Sequence, residues 1–179
     1  MTQYFIFDTE TTSLNDPFII QFAYVICNDN GDILEQYNKY WNTTEPISEK
    51  STSIHHITHD LLINNGQDPS KELLFIDEKM KKCNKIIAHN INFDLKAISF
   101  TRKKLNLPPT QYTNTFCTMK QSTNFVGLYN DKGWLKWPKL IELYRFLGQD
   151  IDTNKLHDAL EDVKVLKDCY FLAKKQKYW

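Results

Sequence analysis

The sequence predicts an α/β domain: one central mixed sheet of five strands, three antiparallel strands followed by parallel ones, flanked by helices. Three observations lead there. Three β-branched and aromatic runs, parted by turn formers, fill residues 4–41; beyond residue 69, short apolar runs alternate with stretches of helical spacing. The third is size: 179 residues suffice for one core that removes roughly 70% of the unfolded chain's surface from water. With no repeat, low-complexity tract or linker, residues 1–179 read as a single domain.

Tyr4 to Asp8, Phe18 to Cys27 and Ile33 to Trp41 are the three first strands, with Asn15-Asp16-Pro17 and Asn28-Asp29-Asn30-Gly31 turning the chain between them. Connections this short join strands antiparallel. From Pro69 to Cys83 the apolar residues Leu73, Ile76 and Met80 repeat at helical intervals. Lys85 to Ala88 is a short apolar strand, Phe93 to Leu105 a second helix, and Asn114 to Cys117 a last short strand. Helices at Pro138 to Leu147 and Ala159 to Lys175 complete the pattern. Strands alternating with helices pair in parallel. The stretch from Ser122 to Trp137 carries no clear signal.

Lysine plus arginine and aspartate plus glutamate number 22 each, so no global positive field draws in polyanions. Cys27, Cys83, Cys117 and Cys169 form no C-x-x-C pair, which argues against a zinc knuckle or redox motif and for reduced thiols in a cytoplasmic setting. The start MTQYFIFD lacks a basic, then apolar, export signal, and no window approaches the ~20 apolar residues of a membrane span. The expectation is a cytoplasmic protein without a membrane partner.

Four carboxylates stand out against that plain background. In a strand, Asp8 and Glu10 project from the same side about 6.6 Å apart, with Phe7 and Thr9 on the other. Like charges so close in a low-dielectric setting raise each other's pKa unless a cation bridges them. The plainer alternative is that D-x-E caps the following turn with help from Thr9, Thr11, Thr12 and Ser13. Asp94 falls in the first turn of a helix whose N-cap is Asn90 or Asn92, where the helix dipole favours a carboxylate. That benefit alone would explain an aspartate, yet the place where a strand yields to a helix is where open α/β sheets put their sites.

On the last helix the apolar arc comprises Ala159, Val163, Leu166, Cys169, Tyr170 and Ala173, and Asp162 lies inside it while Lys164, Lys167, Lys174 and Lys175 lie outside. An acid facing the core needs a partner that these lysines do not supply. His157 precedes Asp162 by five residues, about 140° away on a continuous helix. The two converge if the helix starts after the histidine, and Asp158-Ala159-Leu160-Glu161 reads as a capping box with Asp158 as N-cap and Glu161 reaching back. A neutral imidazole on that lead-in can take a proton from water near neutral pH; the alternative is a histidine that only packs at the helix entry.

Together these residues resemble the three sequence blocks of the DEDDh exonucleases, the DnaQ-like branch of the ribonuclease H-like superfamily. The first block is Asp8-Thr9-Glu10-Thr11-Thr12, the second His89-Asn90-Ile91-Asn92-Phe93-Asp94, the third His157-Asp158-Ala159-Leu160-Glu161-Asp162. The resemblance implies that Asp8, Glu10, Asp94 and Asp162 hold two Mg²⁺ or Mn²⁺ ions and that His157 activates the attacking water. It also implies 3′→5′ removal of mononucleotides from single-stranded DNA or RNA ends, with Leu14 stacking near the terminal base and Thr11, Ile57, Asn90 and Phe93 lining the nucleotide pocket. Hard oxygen ligands suit these cations independently of the resemblance. The chain departs from the family pattern at Ser13, where a glycine usually follows the threonines, and at His56, the glycine position of H-G-I-T.

Three further readings accompany this one. A catalytically silent nucleic-acid-binding module on the same fold would have lost ligands, and all five positions are filled. A polymerase proofreading subunit is a second option, and a homodimer or a polymerase partner is left open. Lys132, Trp134, Lys136, Trp137 and Lys139 interleave basic and aromatic residues, a pattern that either grips a strand upstream of its end or lets the tryptophans pack the following helix onto the sheet. Packing is the reading adopted. Arg102-Lys103-Lys104 and Lys81-Lys82 are read as solvated helix ends.

Overall fold

β1, Tyr4–Thr11, is the middle strand of five in the order β3-β2-β1-β4-β5. The computed structural model describes residues 2–150 and 158–179. β2, Ile19–Cys27, and β3, Ile33–Tyr40, add on one side antiparallel, while β4, Lys85–Ala88, and β5, Thr115–Cys117, add on the other in parallel. This is the sheet the turn spacing and the strand–helix alternation imply. β1 runs further than its apolar stretch because Glu10 and Thr11 stay paired with Gln21 and Ile19 across a register shift.

The period-two alternation of β1 assigns its faces. Phe5 and Phe7 join Phe22 and Tyr24 of β2 beneath α3, Pro69–Lys82, and α4, Ile91–Lys104, whose Leu73, Ile76, Met80, Ala97 and Ile98 are buried. Tyr4 and Ile6 face the other way, with Ala23 and Val25, onto α7, Ala159–Lys175. Each such side chain contributes roughly 1.5–3 kcal/mol on burial, so a one-residue slip of β1 would invert both layers and is strongly opposed. All six residues of the arc read from the sequence of α7 are buried. At the far end of the sheet, Gly31 has φ +85° and any Cβ would press on the Phe171 ring at 3.1 Å, so the β2–β3 turn packs tightly against α7.

α1, Glu49–His55, and α2, His59–Asn65, lie in a stretch for which the sequence reading assigned no element. Seven residues give little periodicity to read; the available signal was the caps, Ser48 accepting from the Ser51 amide and Thr58 from the Leu61 amide. α5, Thr118–Val126, occupies part of the segment without clear signal, and α6, Leu140–Phe146, packs Leu143 against Val165, Cys169 and Ala173 of α7.

Two expectations are corrected. Trp134 and Trp137 do not pack α6 onto the sheet: they are 72% and 62% exposed. Residues 128–137 fold back on themselves around a Tyr129–Leu135 bridge, and α6 is held by Leu143 instead. Arg102 is no solvated helix end either; it is buried and paired with buried Asp77, while its Nε donates to the Pro108 carbonyl. The four cysteines are buried and unpaired. Among the described residues, no helix is long and apolar enough to cross a membrane.

Candidate active site

The C-terminal end of β1 gathers acids from three elements. Asp8 and Glu10 continue the side of β1 that carries Tyr4 and Ile6, so both face α7, where Asp162 sits in the first turn. Carboxylate oxygens of Asp8, Glu10 and Asp162 all lie within 4.8 Å of one another. Thr9 points to the opposite face and donates its hydroxyl to Asp94 Oδ1 at 2.9 Å. Asp94, 3% exposed in the first turn of α4, is thereby tied to the same strand end from behind.

This arrangement is electrostatically costly. Burial pushes Asp8 well above the usual carboxylate range, and the neighbouring charges of Asp94, Asp162, Glu10 and Asp158 push it further. Glu10 is raised to about 8 by burial, then by Asp162, Asp94 and Asp158. Asp94 is raised to about 7 by burial, against the hydrogen bonds from Thr9 and the backbone that hold it down. The strongest charges acting on Asp8 and Glu10 are thus all negative. A divalent cation reverses that balance, because a bound ion is the largest local charge and favours ionised ligands. An all-carboxylate donor set suits Mg²⁺ or Mn²⁺ and lacks the soft ligands that select other metals.

Asp158 belongs to this group although the sequence reading assigned it only a capping role. It does cap α7, with Oδ1 accepting from the Leu160 and Glu161 amides, and its Oδ2 accepts from Gln21 Nε2 at 3.2 Å. Gln21 pairs with Glu10 across the β1–β2 ladder, so the cap is pinned beside the cluster. The signal was in the cap itself, since a residue that starts α7 must lie near Asp162. Glu161 does not complete the capping box: its carboxylate takes Lys164 at 2.6 Å.

Of the expected pocket residues, Thr11 ends β1, buried, with its hydroxyl donating to the Ser13 carbonyl at 3.2 Å. Asn90 and Phe93 lie at the start of α4 with Asp94; Asn90 takes a left-handed conformation, φ 70°, and makes no side-chain cap. Leu14 projects, 60% exposed, while its carbonyl accepts from Lys96 Nζ at 3.0 Å. Ile57 is buried in a separate apolar cluster with Phe18, Ile20 and Leu62. His157 lies outside the described residues. His56 closes α1 with φ 58°, a conformation glycine adopts without cost, so the departure from the family's glycine leaves the backbone shape intact. Ser13 has no positive φ, so its turn does not demand a glycine.

His89, whose role the sequence reading leaves unassigned, is a half-buried neutral latch. Burial pushes its pKa down to about 4. Nε2 donates to the Pro138 carbonyl at 3.0 Å, leaving Nδ1 to accept from the Thr118 hydroxyl at 3.0 Å.

Comparison with known proteins agrees with this geometry. The RNase T exonuclease family matches residues 5–170. The chain is 32% identical over 110 residues to the Staphylococcus aureus DNA polymerase III PolC-type, a match that covers 60% of this chain and 7% of that protein. The fold superposes on E. coli Exonuclease I in complex with a dA16 oligonucleotide with a TM-score of 0.80 at 16% identity, over 99% of this chain and 42% of that one. It superposes on Exonuclease X in complex with 5′ overhanging duplex DNA with a TM-score of 0.69 at 21% identity, over 100% of this chain and 94% of that one. The chain therefore spans a small fraction of the polymerase and under half of Exonuclease I.

Proposed function

This chain belongs to the RNase T exonuclease family, of DnaQ-like fold, and from that premise we propose that it is a metal-dependent 3′→5′ exonuclease of the DEDDh type, acting as one domain on single-stranded nucleic-acid ends. The convergence of Asp8, Glu10 and Asp162 carboxylates within 4.8 Å carries the reading. Asp8, Glu10, Asp94 and Asp162 would hold two Mg²⁺ or Mn²⁺ ions, which when bound neutralise the attacking and leaving oxygens of an in-line phosphoryl displacement. Thr9 orients Asp94, and Asp158 starts α7 where Asp162 faces β1.

His157, immediately before the Asp158 cap, takes the proton of the attacking water. The water oxygen bonds to phosphorus, the bond to the 3′ oxygen of the penultimate nucleotide breaks, that oxygen gains a proton, and a nucleoside 5′-monophosphate leaves. Thr11, Leu14, Ile57, Asn90 and Phe93 contribute to the terminal pocket. A 5′-labelled oligonucleotide incubated with the protein and Mn²⁺ shortens stepwise from its 3′ end, and a 3′-blocked one does not. Asp162→Ala removes that activity; a variant at full activity overturns the proposal. His157→Ala lowers kcat sharply while the Mn²⁺ requirement changes little. Running DNA and RNA strands in parallel identifies the preferred sugar.

The match to a PolC-type polymerase favours one second reading, a proofreading element that works on primer ends. That reading predicts faster removal of a mismatched than of a matched primer terminus, and co-elution with a replicative polymerase. Equal rates and separate elution leave the free-standing nuclease.

A further inference from the structure

We propose that the hairpin of residues 128–137 is a stacking rail for single-stranded nucleic acid, holding nucleotides upstream of the 3′ end that enters the acid cluster. The inference rests on the exonuclease reading above and adds a second binding surface to it.

Four observations carry it. Trp134, Trp137 and Tyr129 are 72%, 62% and 63% exposed, whereas Trp41 is fully buried in the core. Large aromatic surface left in water on one element marks an interaction site. Secondly, the element that displays it is well ordered by its own bonds. The Asn130 amide donates to the Trp134 carbonyl at 2.9 Å, the Asn130 side-chain oxygen accepts from the Lys132 and Trp134 amides, and the Lys136 amide donates to Leu128. Gly133, φ +75°, forms the tip, and a Cβ there would meet nothing within 4 Å, so the tip stands clear of the body.

Thirdly, the hairpin is anchored beside the acids. Its C-terminal end is held where Pro138 accepts from His89 Nε2 at 3.0 Å and where Lys136 Nζ meets Glu142 at 2.6 Å. Ile87 of β4 pairs with Ile6 of β1, so His89 leaves the sheet at the level where β1 carries Asp8. The rail therefore springs from the edge at which phosphodiester cleavage is proposed. Fourthly, lysines interleave with the rings: Lys132 and Lys136 lie in the hairpin and Lys139 just beyond it, with Asp131 as the one acid of the hairpin and Glu142 of α6 paired with Lys136. Aromatic rings interleaved with lysines suit a strand whose bases stack and whose phosphates are anionic, and they tolerate any sequence. A protein partner would be served by the rings alone.

The test separates upstream binding from chemistry. Trp134→Ala/Trp137→Ala is compared with the unaltered chain on two substrates: a single-stranded 12-mer, and the p-nitrophenyl ester of thymidine 5′-monophosphate, which has no upstream nucleotide. The expected result is a KM for the 12-mer raised roughly 5-fold to 150-fold per ring removed, with the small ester turned over as before. Trp134→Phe/Trp137→Phe retains most of the 12-mer affinity. Binding of a fluorescent 12-mer to an Asp8→Asn chain in Ca²⁺ buffer gives a second readout that needs no cleavage. If the alanine pair weakens that binding while no form of the protein hydrolyses anything, the rail stands and the exonuclease reading fails. Unchanged 12-mer binding overturns the rail, as does an equal loss on both substrates. Unchanged 12-mer binding with a shift in sedimentation from dimer to monomer overturns it in favour of a protein-docking surface.

Discussion

The acid Asp77 on the α3–α4 side of the sheet and the acids at the β1 end of the same sheet are treated oppositely. Asp77 is 3% exposed and is answered by the chain itself: Arg102, 5% exposed, pairs with one of its oxygens and the Tyr112 hydroxyl donates to the other. At the β1 end, carboxylate oxygens of Asp8, Glu10 and Asp162 lie within 4.8 Å of one another, and the strongest charges acting on Asp8 and Glu10 are those of their acidic neighbours, Asp94, Asp162 and Asp158 among them. A charge buried for structure brings its counter-ion in the sequence, because an unpaired buried charge is expensive. Acids set against acids cost stability, the pattern expected where perturbed carboxylates serve chemistry.

The contrast is sharpest in activity. Asp8→Asn is expected to lower nucleotide release by roughly 10³-fold or more, since it withdraws a ligand from ions that supply several kcal/mol of transition-state stabilisation. The same variant should melt above the unaltered chain in EDTA, because one member of a repelling set is gone. Arg102→Met should do the reverse: it leaves Asp77 buried without a cation and costs about 3–5 kcal/mol in urea unfolding, with kcat per folded molecule unchanged. A cost below about 1 kcal/mol would break the comparison.

Smaller effects test the mutual repulsion of the acids. Unfolded carboxyls titrate near 4 to 4.5, whereas folded Asp94 titrates at about 7 and Glu10 at about 8. Between those values the folded chain holds protons that the unfolded chain has released. Metal-free stability is therefore highest at low pH within this window and is lost as pH rises through about 7 to 8. Thermal melts in EDTA between pH 5.5 and 8.5 should show that fall, and Mn²⁺ at about 100 times its Kd should flatten it while adding about 2.7 kcal/mol at the high-pH end. Least of all, Thr9→Val, nearly isosteric, frees Asp94 from its hydroxyl and should raise the Mn²⁺ needed for half-maximal activity about tenfold, within the usual range for a lost supporting hydrogen bond.

Much of this is legible in the sequence. The period of two in β1 places Asp8 and Glu10 on one face, and the helical arc of Ala159 to Ala173 includes Asp162; both hold, because local alternation decides which way a side chain leaves its element. Asp158 was correctly placed as the cap of α7. Other features were hidden. Arg102 looked like one more basic residue at a helix end, since its partner Asp77 lies on a different helix. The tryptophans of the hairpin read as packing residues in the sequence, since composition does not reveal that residues 128–137 bond to themselves and turn away from the core. The short helices α1 and α2 were too brief for periodicity to emerge.

The sequence by itself determined the five strands, the helices α3, α4, α6 and α7, and the identity of the acids, because these follow from side-chain chemistry repeated over a few neighbouring residues. Only the tertiary structure decided that a strand end and the start of α7 bring Asp8, Glu10 and Asp162 together, that the Thr9 hydroxyl ties Asp94 to the same strand end from behind, and that Trp134 stands in water. Those outcomes depend on which faces meet across the sheet, and the free energy that selects the meeting is summed over the whole core rather than written in any one segment.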